Sequence, residues 1–552
     1  MRLRGGKRTT GGLLACALAL VGAAPATAVE QPPLADGNGL HVVATKRVGP
    51  RLFEVTLTTP LLTAPTNVDV LLPTDYDAHP KRRYPVLWLF HGTSGWASDW
   101  TKKGDAEATT RDRSMIVVMP DAGIDGDGGS WFTDWVNGGA YGPPKWETYH
   151  VEHLIPWVDS QLRTIDARSG RAIAGLSQGG FGAMSYASRH PDKFAAAASF
   201  SGAPDIAANP ERADPLVTPI INLTEVALIG VPPNTIFGDR ATNEINWAAH
   251  DPATLAGNLR GMGLFTWTGN GQQGPLDPEP NPGASAIEAG VHELTLLFNG
   301  ELAERSIPVE ADDYGPGTHT WPYWARDLRE LMDPLTAIFD RPGATPWKVD
   351  YMSADPHYAQ WGWRVDVARP AREFSTLQGA GDRGYTLAGS GSATVTTPAV
   401  YRPGAQARVT VSSPAGSRTD TATVGRDGTL RIATPLGPGN PAQQFTAEAA
   451  AAGTAVHSTR VGIDAPVRPC ASARTVVVRL RDSRGLRIAG VEASADGRPT
   501  AATRAGRAVR VSLAGLATGT HRIAVRVTGR KGGRAVRRSA SRRVFTCRPA
   551  GS

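Results

Sequence analysis

The sequence predicts an α/β domain built on a mostly parallel sheet, followed by two small all-β domains. A chain of 552 residues is too long for one hydrophobic core, so several domains are expected. Between residues 33 and 342 short apolar segments alternate with helical ones, which is the pattern of parallel strands joined by helices. Beyond Pro342 the helical pattern stops, and short alternating strands are separated by Gly, Pro and Ser turns.

The α/β domain begins with three alternating segments that predict antiparallel strands at the edge of the sheet: HVVATKRV, LFEVTLTT and NVDVLLP. Four continuous apolar runs follow, each ending in a loop of small residues: YPVLWLFHG, SMIVVMPDAG, RAIAGLSQGG and GLFTWTGNG. Continuous apolar character predicts strands that are buried on both faces. The stretch WETYHVEHLIPWVDSQL predicts one of the helices that cover those faces.

We place the two all-β domains, each an Ig-like sandwich, at residues 345–468 and 469–552. In the second, aliphatic residues alternate with arginine, so one face of its sheet is expected to pack and the other to be basic. From residue 470 onward the net charge is +16, whereas residues 29–469 carry −13. The basic face predicts attraction to anionic cell-wall polymers or a membrane surface, although arginine also keeps exposed sheets soluble. No nucleic-acid partner is expected.

Residues 1–28 have the features of a secretory signal peptide. The basic segment MRLRGGKR precedes the apolar run LLACALALVGAA and a small-residue cleavage site ending at Ala28. Cys16 would be removed with this peptide, although LLAC faintly resembles a lipoprotein cleavage box, which leaves lipid anchoring as an alternative. The signal predicts a secreted protein, extracellular or associated with the cell wall.

Cys470 and Cys547 bracket the last domain. An even pair in an oxidising compartment predicts a disulfide bond that closes this domain. Two free thiols are the alternative.

The segment Gly175-Leu176-Ser177-Gln178-Gly179 has the form G-x-S-x-G. It lies between a predicted strand, RAIA, and a predicted helix, FGAMSYASRHP. In that context the motif is typical of a nucleophile elbow, in which glycines on either side of a strained serine avoid Cβ collisions and the hydroxyl projects at the carboxyl edge of the sheet. The N-terminus of the following helix favours a developing oxyanion. Ser177 is therefore the candidate nucleophile.

A serine hydroxyl needs a base, which in this chain order should come later than the serine. His319 lies in a Gly- and Pro-rich loop after the strand-like segment SIPVEADDY, where such a base is expected. His150 and His153 lie on a predicted helix without partners for a metal site, so we interpret them as structural. The carboxylate that orients the histidine remains open from spacing alone, with candidates Asp277, Glu288, Glu293, Asp312 and Asp313.

Further motifs are spread over nearly the whole first domain: SWFTDW at 130–135, KWETY at 145–149, TGNG at 268–271 and GTHTWPYW at 317–324. Together with the serine motif they resemble the esterase D and mycolyltransferase (antigen 85-like) family of α/β-hydrolases. The resemblance implies an α/β-hydrolase fold. It also implies that the acid is a glutamate in a helix ahead of the last strand, and the matching position is Glu288, which would hold the tautomer of His319 and stabilise its imidazolium.

The resemblance further implies an oxyanion hole formed by the backbone amides of Gln178 and Thr93. The sequence departs from the mycolyltransferases beside this loop, where His91 and Ser94 stand at the positions of an aspartate and an arginine that meet the trehalose headgroup. This departure argues against mycolyl transfer to trehalose, while ester cleavage needs only the triad and the amides.

Two further features remain open from sequence. Tryptophans cluster around the predicted site loops and either line a pocket or pack the loops: Trp96, Trp100, Trp131, Trp135, Trp146, Trp321 and Trp324. The loop DAGIDGDGG at 121–129 superficially resembles a calcium loop but lacks the spaced third acid and the distal glutamate. We expect no metal and no cofactor.

The expected activity is cleavage of an acyl ester substrate through an acyl-enzyme with a Ser-His-Glu triad. One alternative is an acyltransferase that moves an acyl group to a sugar or glycerol acceptor of the envelope. The other is a non-catalytic protein that binds the cell wall.

Overall fold

The computed structural model describes residues 28–123, 129–137, 144–343, 346, 348–467, 475–480, 486–505, 508–513, 516 and 519–546. The signal peptide before Ala28, the disulfide between Cys470 and Cys547 and the centre of the loop at 121–129 lie outside these ranges and stay predictions.

The first part of the chain forms a nine-stranded sheet. Its strands are β1 His41–Arg47, β2 Leu52–Thr58, β3 Thr66–Leu71, β4 Val86–Phe90, β5 Ile116–Pro120, β6 Arg171–Leu176, β7 Ala196–Phe200, β8 Gly263–Thr268 and β9 Glu310–Asp313. They lie in the order β1-β2-β3-β5-β4-β6-β7-β8-β9. The pairs from β1 to β5 are antiparallel, and all pairs from β5 to β9 are parallel, which is the mixed sheet of an α/β-hydrolase.

Helices cover this sheet. They are α1 Asp99–Lys102, α2 Ala106–Thr109, α3 Trp146–Thr148, α4 Ile155–Gln161, α5 Gln178–Arg189, α6 Pro210–Leu223, α7 Arg240–His250, α8 Pro282–Glu304 and α9 Trp321–Asp340. A π-helical turn, Tyr149–Leu154, joins α3 to α4, and another, Thr224–Ile229, extends α6. Short 3₁₀ turns occupy Arg168–Gly170 and Ala256–Leu259. Among the described helices, none is both long and apolar enough to span a bilayer.

Alternate residues of the central strands enter two different hydrophobic cores. Trp88 and Phe90 of β4 join one core, while Leu87 and Leu89 of the same strand join the other. Successive side chains of a strand point to opposite faces, so the sheet is buried on both sides. The continuous apolar runs of the sequence are explained by this double burial.

Two sheets follow that share one hydrophobic core. Their strands are β10 Val349–Ser353, β11 His357–Gln360, β12 Trp363–Ala368, β13 Ser375–Gly381, β14 Gly384–Gly389, β15 Ser392–Thr396, β16 Gln406–Ser413, β17 Gly416–Thr423, β18 Arg431–Pro435 and β19 His457–Asp464. This region also contains one short helix, α10 Ala447–Ala452, where the sequence indicated none. The alanine run forms a helix because the Thr446 side chain caps its N-terminus and Gly453 ends it with positive φ.

The last region forms a three-stranded and a four-stranded sheet around a separate core. The strands are β20 Thr475–Arg479, β21 Arg487–Ala495, β22 Arg498–Pro499, β23 Ala502–Ala505, β24 Ala508–Ser512, β25 Gly519–Lys531 and β26 Arg534–Thr546. All-β sheets thus follow the α/β region, as the sequence predicts, while the proposed domain boundaries at 342–345 and 468–469 stay predictions.

Candidate active site

Ser177 occupies the bend between β6 and α5 in a conformation that a residue with a side chain rarely adopts. Its φ is 54° and its ψ is −125°. The bend is held by hydrogen bonds: the Ser177 N–H donates to the Phe200 carbonyl at 2.9 Å, and its own carbonyl accepts from Gly180 and Phe181. Strain of this kind persists only where the surrounding structure enforces it, and it is the backbone geometry of a nucleophile elbow.

The glycines on both sides of Ser177 are required by close backbone approaches. A Cβ on Gly175 would lie 2.3 Å from the Gly179 carbonyl oxygen, and a Cβ on Gly179 would lie 2.3 Å from the His91 carbonyl oxygen. Neither position has room for a side chain, as the sequence predicts. The elbow therefore packs directly against the end of β4.

The structure brings Ser177, His319 and Glu288 into one hydrogen-bonded chain. The Nε2 atom of His319 lies 2.9 Å from the Ser177 Oγ, and the Nδ1 atom lies 2.7 Å from Glu288 Oε2. A carboxylate can only accept a hydrogen bond, so Nδ1 carries the proton and Nε2 accepts from the serine hydroxyl. Serine and histidine both follow the carboxyl ends of parallel strands, which meet at one edge of the sheet.

Glu288 lies on α8 and is fully buried. Its Oε1 atom accepts from the Ser201 hydroxyl at 2.8 Å, the Thr268 hydroxyl at 3.2 Å and the Gly269 N–H at 2.8 Å. Because these donors bind Oε1, they fix the orientation of the carboxylate, with Oε2 directed at His319. Ser201 has no sequence signature beyond its place directly after β7, so it could not be singled out from the sequence.

The other candidate acids have other partners. Asp277 accepts from Gly274 N–H at 2.8 Å, from the Tyr323 hydroxyl at 3.1 Å and from Thr318. Burial alone would raise the pKa of Asp277, but these hydrogen bonds hold it below its usual value. Because Thr318 precedes His319, this carboxylate holds the loop that presents the histidine.

Three acids remain from that set of candidates. Glu293 pairs with Arg212, and Asp313 lies 3.0 Å from His292. Asp312 lies 3.8 Å from Arg326. None of these contacts reaches His319.

The loop after β4 lies against the elbow. A Cβ on Gly92 would lie 2.6 Å from the Leu176 Cδ1 and 3.1 Å from the Ser177 Cβ, so glycine favours this close approach. The Gln178 side chain donates to the Thr93 hydroxyl at 3.1 Å and accepts from the Trp131 N–H at 3.3 Å. Within the described ranges, the backbone N–H groups of Thr93 and Gln178 have no hydrogen-bond partner, so both are available to an incoming oxygen.

His91 is a structural part of this loop. Burial lowers the pKa of His91, which keeps the ring neutral. Its Nε2 accepts from the Ala122 N–H at 3.0 Å, so Nδ1 carries the proton and donates to the Gly92 carbonyl at 2.7 Å. Both ring nitrogens of His91 are therefore hydrogen-bonded to backbone groups.

Most of the tryptophans around the site pack its loops. Five of them are buried: Trp100, Trp131, Trp135, Trp146 and Trp324. Trp324 meets the His319 ring edge to face with 4.9 Å between centroids, and Trp321 packs on Trp324 at 5.3 Å. Trp96, in contrast, is 44% exposed on the loop after β4.

His150 and His153 are structural, as the sequence predicts. His150 is buried, with its ring nitrogens 3.0 Å from the Tyr186 hydroxyl and 3.0 Å from the Asp121 carbonyl, and burial lowers its pKa to about 3. His153 lies 2.7 Å from the Asn38 carbonyl. Among the residues that the structure describes, no group of three or more His, Cys, Asp or Glu side chains is arranged to hold a metal ion.

Residues 60–333 match the family model described as "Putative esterase". An esterase of Mycobacterium tuberculosis is 32% identical over 288 residues, which is 52% of this chain and 59% of that protein. The diacylglycerol acyltransferase/mycolyltransferase Ag85B of Mycolicibacterium smegmatis is 28% identical over 43% of this chain and 72% of its own length. The crystal structure of Mycobacterium tuberculosis MPT51 aligns over 53% of this chain and 98% of its own with 22% identity and a TM-score of 0.42.

The family match covers the segments that contain Ser177, Glu288 and His319. The relatives include both hydrolases and acyltransferases, which agrees with the resemblance seen in the motifs. Residues 60–333 are therefore similar to the esterase family, whose relatives include enzymes of both kinds.

Proposed function

We propose that this protein is a serine esterase that cleaves carboxylic esters through a covalent acyl-enzyme. The proposal rests on the position of His319, which lies within hydrogen-bond distance of both Ser177 and Glu288. The strained backbone at Ser177 supports it, because such strain is typical of a positioned nucleophile.

In the proposed mechanism the Ser177 Oγ attacks the ester carbonyl while its proton moves to His319 Nε2. Glu288 stabilises the imidazolium that forms. The N–H groups of Thr93 and Gln178 bind the oxyanion of the tetrahedral intermediate, and each such donor is worth about 3 kcal/mol of barrier. His319 then protonates the leaving alcohol, and the acyl group stays on Ser177.

A second nucleophile completes the cycle. His319 takes a proton from a water molecule, and this water attacks the acyl-enzyme. The acid is then released, and His319 returns the proton to the Ser177 Oγ. An alcohol in place of water would make the protein an acyltransferase, which is the second candidate because mycolyltransferases are among the relatives.

The position of His91 favours hydrolysis over transfer to trehalose. Its ring is only 1% exposed and both nitrogens are engaged in the loop. It therefore offers no polar group to a sugar at the position where the mycolyltransferases have an aspartate. Ser94, at the position of the arginine, has a side chain too short to replace a guanidinium.

The test is an assay of the mature protein with p-nitrophenyl esters of several chain lengths, with and without trehalose or glycerol. We expect p-nitrophenol release that is independent of the acceptor and is lost in Ser177→Ala. Acylated acceptor as the main product would assign the transferase. An absence of turnover with every ester would favour the alternative of a non-catalytic protein that binds the cell wall.

We also propose that the protein is secreted and that its basic last domain holds it on anionic wall polymers. The net charge of +16 after residue 469 supports this placement. Retention of the full mature chain on cell-wall material should decrease as salt rises, and salt-independent retention would contradict it. Thiol titration under denaturing conditions should detect no free thiol if Cys470 and Cys547 form a disulfide.

A further inference from the structure

A cavity of about 1050 Å³ lies where the α/β region meets the last β region. On one side it is lined by residues that directly precede strands of the large sheet, including Arg83 and Met115. On the other side it is lined by the turn residue Gly497 and by Arg498 and Pro499 of β22. A Cβ on Gly497 would lie 2.8 Å from the Arg83 Cδ, so the two regions are in direct contact here.

This cavity is distinct from the catalytic centre. Its residues lie at the amino ends of β4 and β5, whereas Ser177 and Gly269 follow the carboxyl ends of β6 and β8. In parallel strands these ends form opposite edges of the sheet. A ligand in the cavity therefore leaves the active site free.

The lining is strongly basic. Five lysine and arginine side chains line it, namely Lys81, Arg82, Arg83, Arg113 and Arg498, against the carboxylates of Asp112 and Asp340. Arg82 and Arg113 already form ion pairs, at 2.7 Å each, with Asp75 and Asp333. Lys81, Arg83 and Arg498 have no acidic partner within the described part of the chain.

Arg498 is the least satisfied of these residues. Its Nε and Nη2 atoms are shielded from solvent and have no hydrogen-bond partner in the described ranges. Burial lowers the pKa of its guanidinium, as is usual for a charge taken from water without compensation. Such a charge is costly unless an anion stands near it, and the cavity provides the space for one.

We propose that this cavity binds phosphate groups of an anionic polymer, with Arg498 and Lys81 as its principal cations. Phosphate suits the site because each group offers several acceptor oxygens and carries up to two charges, which guanidinium and ammonium groups recognise together. The volume admits more than one phosphate unit. The site extends the wall binding proposed above and does not depend on the esterase activity.

The experiment measures binding of sodium tripolyphosphate to the full mature chain by titration calorimetry. Arg498→Gln and Lys81→Gln should each weaken binding at least tenfold. The matched control is Arg431→Gln, which removes the same charge from an exposed position of β18, outside both the cavity and the basic last domain, and should change the affinity less than twofold. Lys81 is exposed, so its variant reports on the site even if Arg498→Gln impairs folding.

Titrations with other anions identify the class of ligand. Tighter binding of long-chain polyphosphate than of orthophosphate would support a polymer, and equal binding of orthophosphate would assign free phosphate and overturn the polymer. Equal binding of poly-glutamate would overturn the choice of phosphate. No binding, or equal weakening by all three variants, would overturn the site. Hydrolysis of p-nitrophenyl esters should be unchanged in every variant, so the esterase proposal is tested separately.

Discussion

The imidazole of His319 stands between the hydroxyl of Ser177 and the carboxylate of Glu288, 2.9 Å from the first and 2.7 Å from the second. Ser177 and His319 are separated by 142 positions in the chain. They meet because each follows a strand of one parallel sheet at its carboxyl edge.

Replacing Glu288 by glutamine should lower kcat for ester hydrolysis by about 10²–10⁴, because an amide no longer fixes the tautomer of His319 or stabilises its imidazolium. Glu293→Gln is the matched control on the same helix, where the carboxylate pairs with Arg212. Steady-state kinetics of both variants check the prediction. Equal activity of Glu288→Gln and the native protein would remove Glu288 from the mechanism.

Replacing Gly175 by alanine should lower the free energy of unfolding by about 1–3 kcal/mol and reduce activity, because the new Cβ would collide with the Gly179 backbone. Gly290→Ala is the control, since a Cβ there meets no atom within 4 Å and alanine favours the helix. It should be neutral or stabilising. Denaturant unfolding measures the free energy of unfolding of both variants. An unchanged value for Gly175→Ala would contradict the tight packing of the elbow.

Replacing Arg189 by methionine should lower the free energy of unfolding by about 3–5 kcal/mol. The guanidinium bridges Glu147 of the α/β region, at 2.7 Å, and Asp355 of the following β region, at 3.1 Å. Without it Glu147 and Asp355 would lose the guanidinium that they share, and Asp355 would keep Arg372 as its cationic partner at 3.1 Å. Arg212→Met, which breaks an exposed pair with Glu293, should cost at most about 1 kcal/mol in the same denaturation experiment.

Asp69 should make stability depend on pH. It is buried on β3 with both carboxylate oxygens unpartnered in the described structure, and burial, with the charges of Glu54 and Asp121, raises its pKa to about 7. An acid whose pKa is raised by folding contributes stability below its unfolded pKa, and that stability is lost as pH rises through the folded pKa.

The native protein should therefore lose roughly 2–4 kcal/mol relative to Asp69→Asn between pH 4 and pH 8. Unfolding measured across that range checks the difference. The exposed strand residue Asp464, replaced by asparagine, serves as the control for the loss of one carboxylate. A difference in the free energy of unfolding between the native protein and Asp69→Asn that stays constant across this pH range would contradict a raised pKa at Asp69.

Much of the fold could be predicted because its signals are local. Continuous apolar runs mark β4, β5, β6 and β8, and the glycines of the elbow follow from a local steric need. Strand β7, with the sequence AAASF, was missed because alanine favours helices in isolation. In the folded protein Ser199 of this strand lies against Gly180 and Gly202, where a Cβ on either glycine would collide with the Ser199 Oγ.

The candidate site could be predicted only in part. The elbow and a histidine in a loop have sequence signatures, but spacing left five acids open until resemblance favoured Glu288. The contacts of Ser201 with Glu288 and of Gln178 with Thr93 and Trp131 arise from the meeting of distant loops. No local pattern encodes such contacts, so only the three-dimensional structure could supply them.

Covalent labelling tests the central claim most directly. The native protein, treated with a fluorophosphonate, should gain one adduct that peptide mass spectrometry places on Ser177, and its ester hydrolysis should be lost in proportion. His319→Ala should label far more slowly, because the hydroxyl then has no base. An adduct on another residue, or full ester hydrolysis by protein labelled at Ser177, would contradict the account.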